Sequence, residues 1–212
     1  MLARLLEYYK IQEIEEKEKK IEGYLKLLDE RRKWAGLTSR GFHGKAENAV
    51  VDSLGILSVL DNRGRKSVID IGSGGGLVGI VMSIVCPGWE VLMAESSARK
   101  AAFLAETIGS LGLGNAKVEG ERAENLTGRF TFDSALGRAT GELRTVAPTA
   151  LGLLIPGGLY VAIKGSHTEM EVENAVGAIE ASGGKIIGVE KPGYPGAFGI
   201  PDRVSLVVVK KI

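Results

Sequence analysis

Val68-Ile69-Asp70-Ile71-Gly72-Ser73-Gly74-Gly75-Gly76 is the stretch that decides the fold. A strand of buried character carries one carboxylate, Asp70, into a glycine-rich turn, and the apolar run from Leu77 reads as the helix that follows. Lacking a Cβ, Gly72, Gly74, Gly75 and Gly76 allow positive φ and let a ligand lie against the main chain where that helix starts. The next strand ends in a second carboxylate, Glu95. Two acids beside such a turn repel a pyrophosphate but suit a ligand carrying an amine, hydroxyls and a sulfonium. S-adenosylmethionine carries those groups. Gly74, Gly76 and Gly79 also spell G-x-G-x-x-G, the fingerprint of a dinucleotide site, but two residues late relative to the strand end. Asp70, two residues before the first glycine, is expected to point at the mouth of the turn.

The chain has 212 residues, enough for one sizeable α/β core with a short appendage. With 44% hydrophobic and 25% charged residues, its composition excludes a disordered or fibrous protein. A net charge of +1 gives no global signature of nucleic-acid binding, although a neutral average is compatible with a basic face. A single cysteine, Cys86, excludes an internal disulfide. The two histidines, His43 and His167, lack metal-ligand spacing, so no metal is expected and neither anchors a mechanism. No signal peptide or membrane span is read from the sequence, and a cytoplasmic protein is expected.

Residues 2–34 place Leu5, Tyr8, Tyr9, Ile11, Ile14, Ile21, Tyr24, Leu25, Leu27 and Leu28 at helical spacing, which predicts two helical pieces meeting near Gly23. The Glu/Lys run over 13–20 reads as a solvated face or as a binding surface. A loop over 35–46 and a short helix over 47–60 follow. Residues 1–60 are thus expected to be a helical extension packed on a core formed by 61–212.

From residue 67 strands and helices alternate: strands 67–71, 90–95, 116–119, 132–136 and 158–164, helices 77–86, 98–111, 142–153 and 168–181. That alternation predicts parallel βαβ units. Strands 184–190 and 203–210 have no helix between them and are expected to pair antiparallel at one side of the sheet. A turn is expected at Pro156-Gly157-Gly158, and a long loop over 192–202. The fold class is therefore α/β and Rossmann-like, with a seven-stranded, mostly parallel sheet, helices on both faces and an N-terminal helical segment.

In such a sheet ligands bind beyond the carboxyl ends of the strands. Asp70 and Gly72 end the first strand, Glu95 the second and Arg138 the fourth, while Glu121 to Glu124 follow the third and Lys164 ends the fifth. A carboxylate accepts two hydrogen bonds at once, which suits Glu95 to ribose hydroxyls; an acid at a helix N-terminus is the alternative. Ala123 and Glu124 lie where an adenine ring would be met, and Glu124 equally suits a helix cap. Arg138 and Lys164 read as contacts to a substrate phosphate or a methionine carboxylate, or as solvated surface charges.

Further strings coincide with a known family. These include Leu37-Thr38-Ser39, Val51-Asp52-Ser53-Leu54, Ile69 to Ile80, Glu95-Ser96 and Arg99-Lys100-Ala101-Ala102-Phe103-Leu104. Arg122-Ala123-Glu124, Gly137-Arg138-Ala139, Ile163-Lys164-Gly165 and Arg203 before Leu206-Val207-Val208-Val209 follow in order. In this order and spacing the chain resembles the ribosomal small-subunit methyltransferase G family, also called glucose-inhibited division protein B. The resemblance implies an enzyme that uses S-adenosylmethionine to methylate N7 of a guanine in small-subunit (16S) ribosomal RNA. It implies cofactor contacts at Gly72, Leu77, Ala123, Glu124 and Arg138, with Glu95 at the ribose, beside the Asp70, Gly74 and Gly76 of the glycine turn. Relatives usually have Arg-His where this chain has Asn48-Ala49, Pro where it has Val78 and Asn where it has Gly36.

Guanine N7 already presents a lone pair, so its methylation needs alignment and exclusion of water rather than a general base. Arg138 and Lys164 are the candidates for positioning. Together with Arg40, Lys45, Arg99, Lys100 and Arg203 they are expected to form a rim for RNA phosphates. The rival readings are a methyltransferase of the same fold acting on a small molecule or protein, a non-catalytic RNA-binding or assembly factor, and a nicotinamide oxidoreductase.

Overall fold

Alternating strands and helices from residue 66 onward organise the computed structural model, which describes residues 1–37, 46–61, 66–193 and 203–212. Three helices come first: α1 (Leu2–Tyr8), α2 (Ile14–Arg31) and α3 (Ala46–Leu54). Then follow β1 (Lys66–Ile71), α4 (Gly79–Val85), β2 (Trp89–Ala94), α5 (Ala98–Leu111), β3 (Ala116–Glu119) and β4 (Phe132–Arg138). The remainder is α6 (Leu143–Gly152), β5 (Leu154–Lys164), α7 (Thr168–Ala181), β6 (Gly184–Glu190) and β7 (Ser205–Lys211). The sheet order is β3-β2-β1-β4-β5-β7-β6. β3 through β5 run parallel, and β7 pairs antiparallel with both β5 and β6.

The period-two alternation of each central strand sends neighbours to opposite faces and so builds two cores. Val68, Leu136 and Val161 join helices α1 to α5 in one, with Trp89, Tyr24 and Phe103 as its large members. Ile69, Ala135 and Tyr160 join the α6 and α7 side in the other, with Ala147, Ala175 and Ile179. β1 lies inside the sheet between β2 and β4 and is buried from Val68 to Ile71, so its carboxyl end opens between the two layers. Burying an aromatic of this kind contributes about 2–3 kcal/mol.

The N-terminal helices do not break at Gly23, which lies inside α2. The break falls between Tyr8 and Ile14, where Lys10 and Glu13 take φ of 56° and 52°. Gly23 is instead a close-approach residue, because a β-carbon there would lie 3.3 Å from Leu111 of α5. The expected turn at Pro156-Gly157-Gly158 is also absent as a strand boundary. β5 already begins at Leu154, and the glycines form an irregularity that shifts its register against β4 between Phe132 and Ser134.

Candidate active site

The turn after β1 is built as the sequence requires. Gly72, Gly74 and Gly76 have φ of 63°, 58° and 83°, conformations an L side chain resists. Gly75 is needed for a different reason. A β-carbon there would lie 3.1 Å from Leu28 Cδ1 of α2, so a side chain would crowd the packing of that helix against the turn. The turn is closed by Gly76 N–H on Ser73 O (2.8 Å) and by Ser73 N–H on Ala94 O (3.1 Å), which ties it to the end of β2.

Both carboxylates hold this backbone. Glu95, 7% exposed, accepts Gly74 N–H on Oε2 at 2.8 Å and Ser97 N–H on Oε1 at 2.8 Å, the second bond at the entry to α5. Each oxygen keeps a second lone pair for a ribose hydroxyl. Asp70 departs from expectation. It is 1% exposed and lies beneath the turn, not at its mouth, with Oδ2 accepting Gly79 N–H at 2.9 Å at the start of α4. Burial pushes its carboxyl up to about 7, reinforced by the charge of Glu95 and opposed by hydrogen bonds from Ser73 and Gly79. Asp70 therefore positions the turn from below.

A charged cluster stands across the mouth. Arg138, at the end of β4, donates Nη1 to Ala49 O (2.8 Å) and places Nη2 3.2 Å from Asp52 Oδ2. Arg203 Nη2 lies 3.7 Å from the other oxygen of Asp52, whose side chain is 4% exposed. Burial lowers the Arg138 guanidinium from its ordinary value, while the Asp52 carboxylate opposes the change. Past Arg138 the backbone passes through Ala139 at φ 53°, a strained conformation for alanine. This returns Thr140 over Gly72, where a β-carbon would fall 3.1 Å from Thr140 Cγ2.

A profile described as rRNA small subunit methyltransferase G matches residues 17–192. A Caldicellulosiruptor bescii protein of the name Ribosomal RNA small subunit methyltransferase G is 32% identical, covering 100% of this chain and 91% of its own. A Pelotomaculum thermopropionicum protein of the same name is 36% identical over 93% of this chain and 84% of its own. The chain belongs to the rRNA small subunit methyltransferase G family. Among solved structures, Mitomycin 7-O-methyltransferase MmcR superposes with a TM-score of 0.62 at 14% identity, covering 77% of this chain and 54% of that one. M. jannaschii TYW2 in complex with AdoMet gives 0.57 at 17% identity, covering 82% and 75%. These likenesses place the fold among the Rossmann-like class I methyltransferases.

In this family member the remaining expected residues divide. Leu77 is half-buried beside the turn, and its carbonyl accepts the Ser53 hydroxyl at 2.8 Å. Ala123 is buried at the start of a 3₁₀ turn over Ala123–Leu126, and Glu124 beside it is exposed. Arg99 is exposed and Lys100 half-buried on the first turn of α5. Lys164 is not a free cation at the rim. It is 7% exposed, with Nζ 2.7 Å from Gly141 O and 2.6 Å from Glu171 Oε2, because α7 folds back across the end of β5. Arg40, Lys45 and His43 lie outside the described residues, as do most of the loop over 192–202.

Asp52, Ser53, Tyr24 and Thr140 join the site without having been among the residues expected there. Asp52 carried a usable signal, a single carboxylate in the apolar run Ala49-Val50-Val51-Asp52-Ser53-Leu54, where a buried acid must find a cation. A shallow cavity of about 490 Å³, lined by Ser67, Trp89, Asn115 and Phe132, opens at the amino ends of the strands, on the side opposite the glycine turn. Among the described residues no group of three or more potential metal ligands occurs, and no helix is long and apolar enough to cross a membrane.

Proposed function

We propose that this protein transfers a methyl group from S-adenosylmethionine to N7 of a guanine in small-subunit ribosomal RNA, in the cytoplasm. The observation that carries this reading is the glycine turn braced by Glu95 and Asp70 at two adjacent strand ends, in a chain of the rRNA small subunit methyltransferase G family. The residues fit the cofactor. Gly72 leaves its backbone exposed, Glu95 keeps acceptor capacity beside it, and Ala123 with Glu124 borders the next strand end.

When bound, S-adenosylmethionine supplies the electrophilic methyl group. The turn over Gly72–Gly76 would hold its methionyl part, Glu95 the ribose and the Ala123–Glu124 turn the adenine. The protein's own work is alignment, since N7 carries its lone pair without losing a proton. Thr140, whose methyl approaches Gly72, borders the mouth of the site. Arg138, oriented by Asp52 and Ala49, presents a fixed cation there, and Arg99 and Lys100 extend the positive rim toward RNA phosphates.

The test is to map N7-methylguanine in ribosomal RNA from cells with and without the protein. One guanine of the small-subunit RNA should lose its methyl group in the protein's absence, and an unchanged map would remove the reading.

A further inference from the structure

We propose that Tyr24 of α2, assisted by Ser53 of α3, is a positioning residue for cofactor binding, so that the N-terminal helices form part of the cofactor site. The inference rests on the S-adenosylmethionine reading above. Tyr24 is fully buried, and its hydroxyl donates to Gly75 O at 2.7 Å across 51 residues of sequence. Ser53 Oγ lies 2.8 Å from Leu77 O and 2.8 Å from Ala49 O. A serine hydroxyl has one proton, so Ser53 divides it between its own helix and the turn, and Tyr24 is the firmer clamp.

Peptide planarity turns this contact into control of the turn. The Gly75 carbonyl and the Gly76 N–H belong to one rigid unit. Tyr24 holds its oxygen while Ser73 O, 2.8 Å away, holds its N–H. A unit flanked by two glycines rotates more readily than any other, because neither neighbour has a Cβ to oppose the rotation. The loop that must receive the ligand is thus the one least able to fix its own shape, and the lock comes from outside the strand–helix unit. Removing the hydroxyl leaves the Gly75 carbonyl buried without its donor and frees the unit to rotate. Burial pushes the Tyr24 hydroxyl well above its ordinary value, the charge of Asp70 adds to the rise and Arg138 opposes it, so Tyr24 lies within the field of the groups that line the turn.

Titration of S-adenosylmethionine into wild type, Tyr24→Phe and Ser53→Ala, with melting curves of each protein alone, tests this. Tyr24→Phe should weaken cofactor binding about 5- to 10-fold and raise the KM for cofactor in parallel, the loss expected from one buried hydrogen bond. Its KM for small subunits and its kcat at saturating cofactor should stay within about twofold. Ser53→Ala should weaken binding by only about two- to threefold. A Tyr24→Phe protein with unchanged cofactor affinity and a lowered melting temperature would overturn the proposal, leaving Tyr24 a core residue. If that variant does not fold, hydrogen exchange on wild type decides: cofactor should slow exchange in the peptide around Tyr24 as well as in the glycine turn. Protection confined to the turn overturns the inference. A wild type that binds no cofactor instead refutes the functional reading on which it rests.

Discussion

The two halves of the site solve opposite problems. On the β1–β2 side, Asp70 and Glu95 are carboxyl groups satisfied by backbone N–H groups two to 21 residues away in sequence. On the β4–β5 side, Arg138 and Lys164 are cations satisfied by carbonyls and carboxylates on other elements, up to 89 residues away. The first half shapes one loop by local geometry. The second ties separate elements to the rim by buried charge, and so depends on the whole chain having folded.

The largest effect is expected where that second half concentrates. Asp52→Ala should leave Arg138 and Arg203 without their shared counter-charge and lower unfolding free energy by about 3–5 kcal/mol in chemical denaturation. A loss below about 1 kcal/mol would mean the cluster is solvated. In the first half, Gly76→Ala would place a β-carbon 2.5 Å from Ile80 Cγ1 and 2.7 Å from Leu104 Cδ2 at φ 83°. It should cost about 2–3 kcal/mol and weaken S-adenosylmethionine binding, read by calorimetry. Lys164→Met separates the halves. It should cost about 1–2 kcal/mol by breaking the pair with Glu171 while leaving cofactor and RNA affinity within twofold; a large loss of RNA affinity would return Lys164 to the rim.

Asp70 gives the first half a pH signature. Its folded carboxyl lies near 7, above the ordinary value of 3.8, so the folded state holds the extra proton between those limits. Its contribution to stability is full below the ordinary value and falls by up to about 1.4 kcal/mol per pH unit as pH rises toward 7. Asp70→Asn should flatten that slope in denaturation series from pH 4 to 8. A cationic ligand favours the ionised carboxyl, so wild-type binding should tighten from pH 6 to 8 and release protons in calorimetry across buffers. The smallest effect is expected at Arg99→Glu: a few-fold weaker RNA binding, a salt dependence shallower by about one phosphate contact and unchanged cofactor affinity.

This contrast explains what could be read from sequence. The glycine turn, Glu95 and the parallel order of β1 to β5 follow from spacing within a few tens of residues, and the helices over 98–111 and 168–181 end where their patterns end. Gly23 misled because a breaker and a close-packing residue look alike until α5 is placed against α2. Lys164 misled for a related reason: a strand end identifies which cations approach the rim but not which acid a later helix brings to them. The same limit hid Tyr24, whose helical spacing assigns it to the core and says nothing of the hydroxyl at its tip.

β7 lies between β5 and β6, although it is made after both. While the polypeptide is being synthesised, β5 therefore presents an unpaired edge and β6 has no neighbour to join, until residues 205–211 arrive and satisfy both at once. The last seven-residue strand acts as a zip that completes the sheet, and chains cut before it should accumulate as sticky, half-assembled intermediates prone to edge-to-edge aggregation rather than as smaller folded proteins.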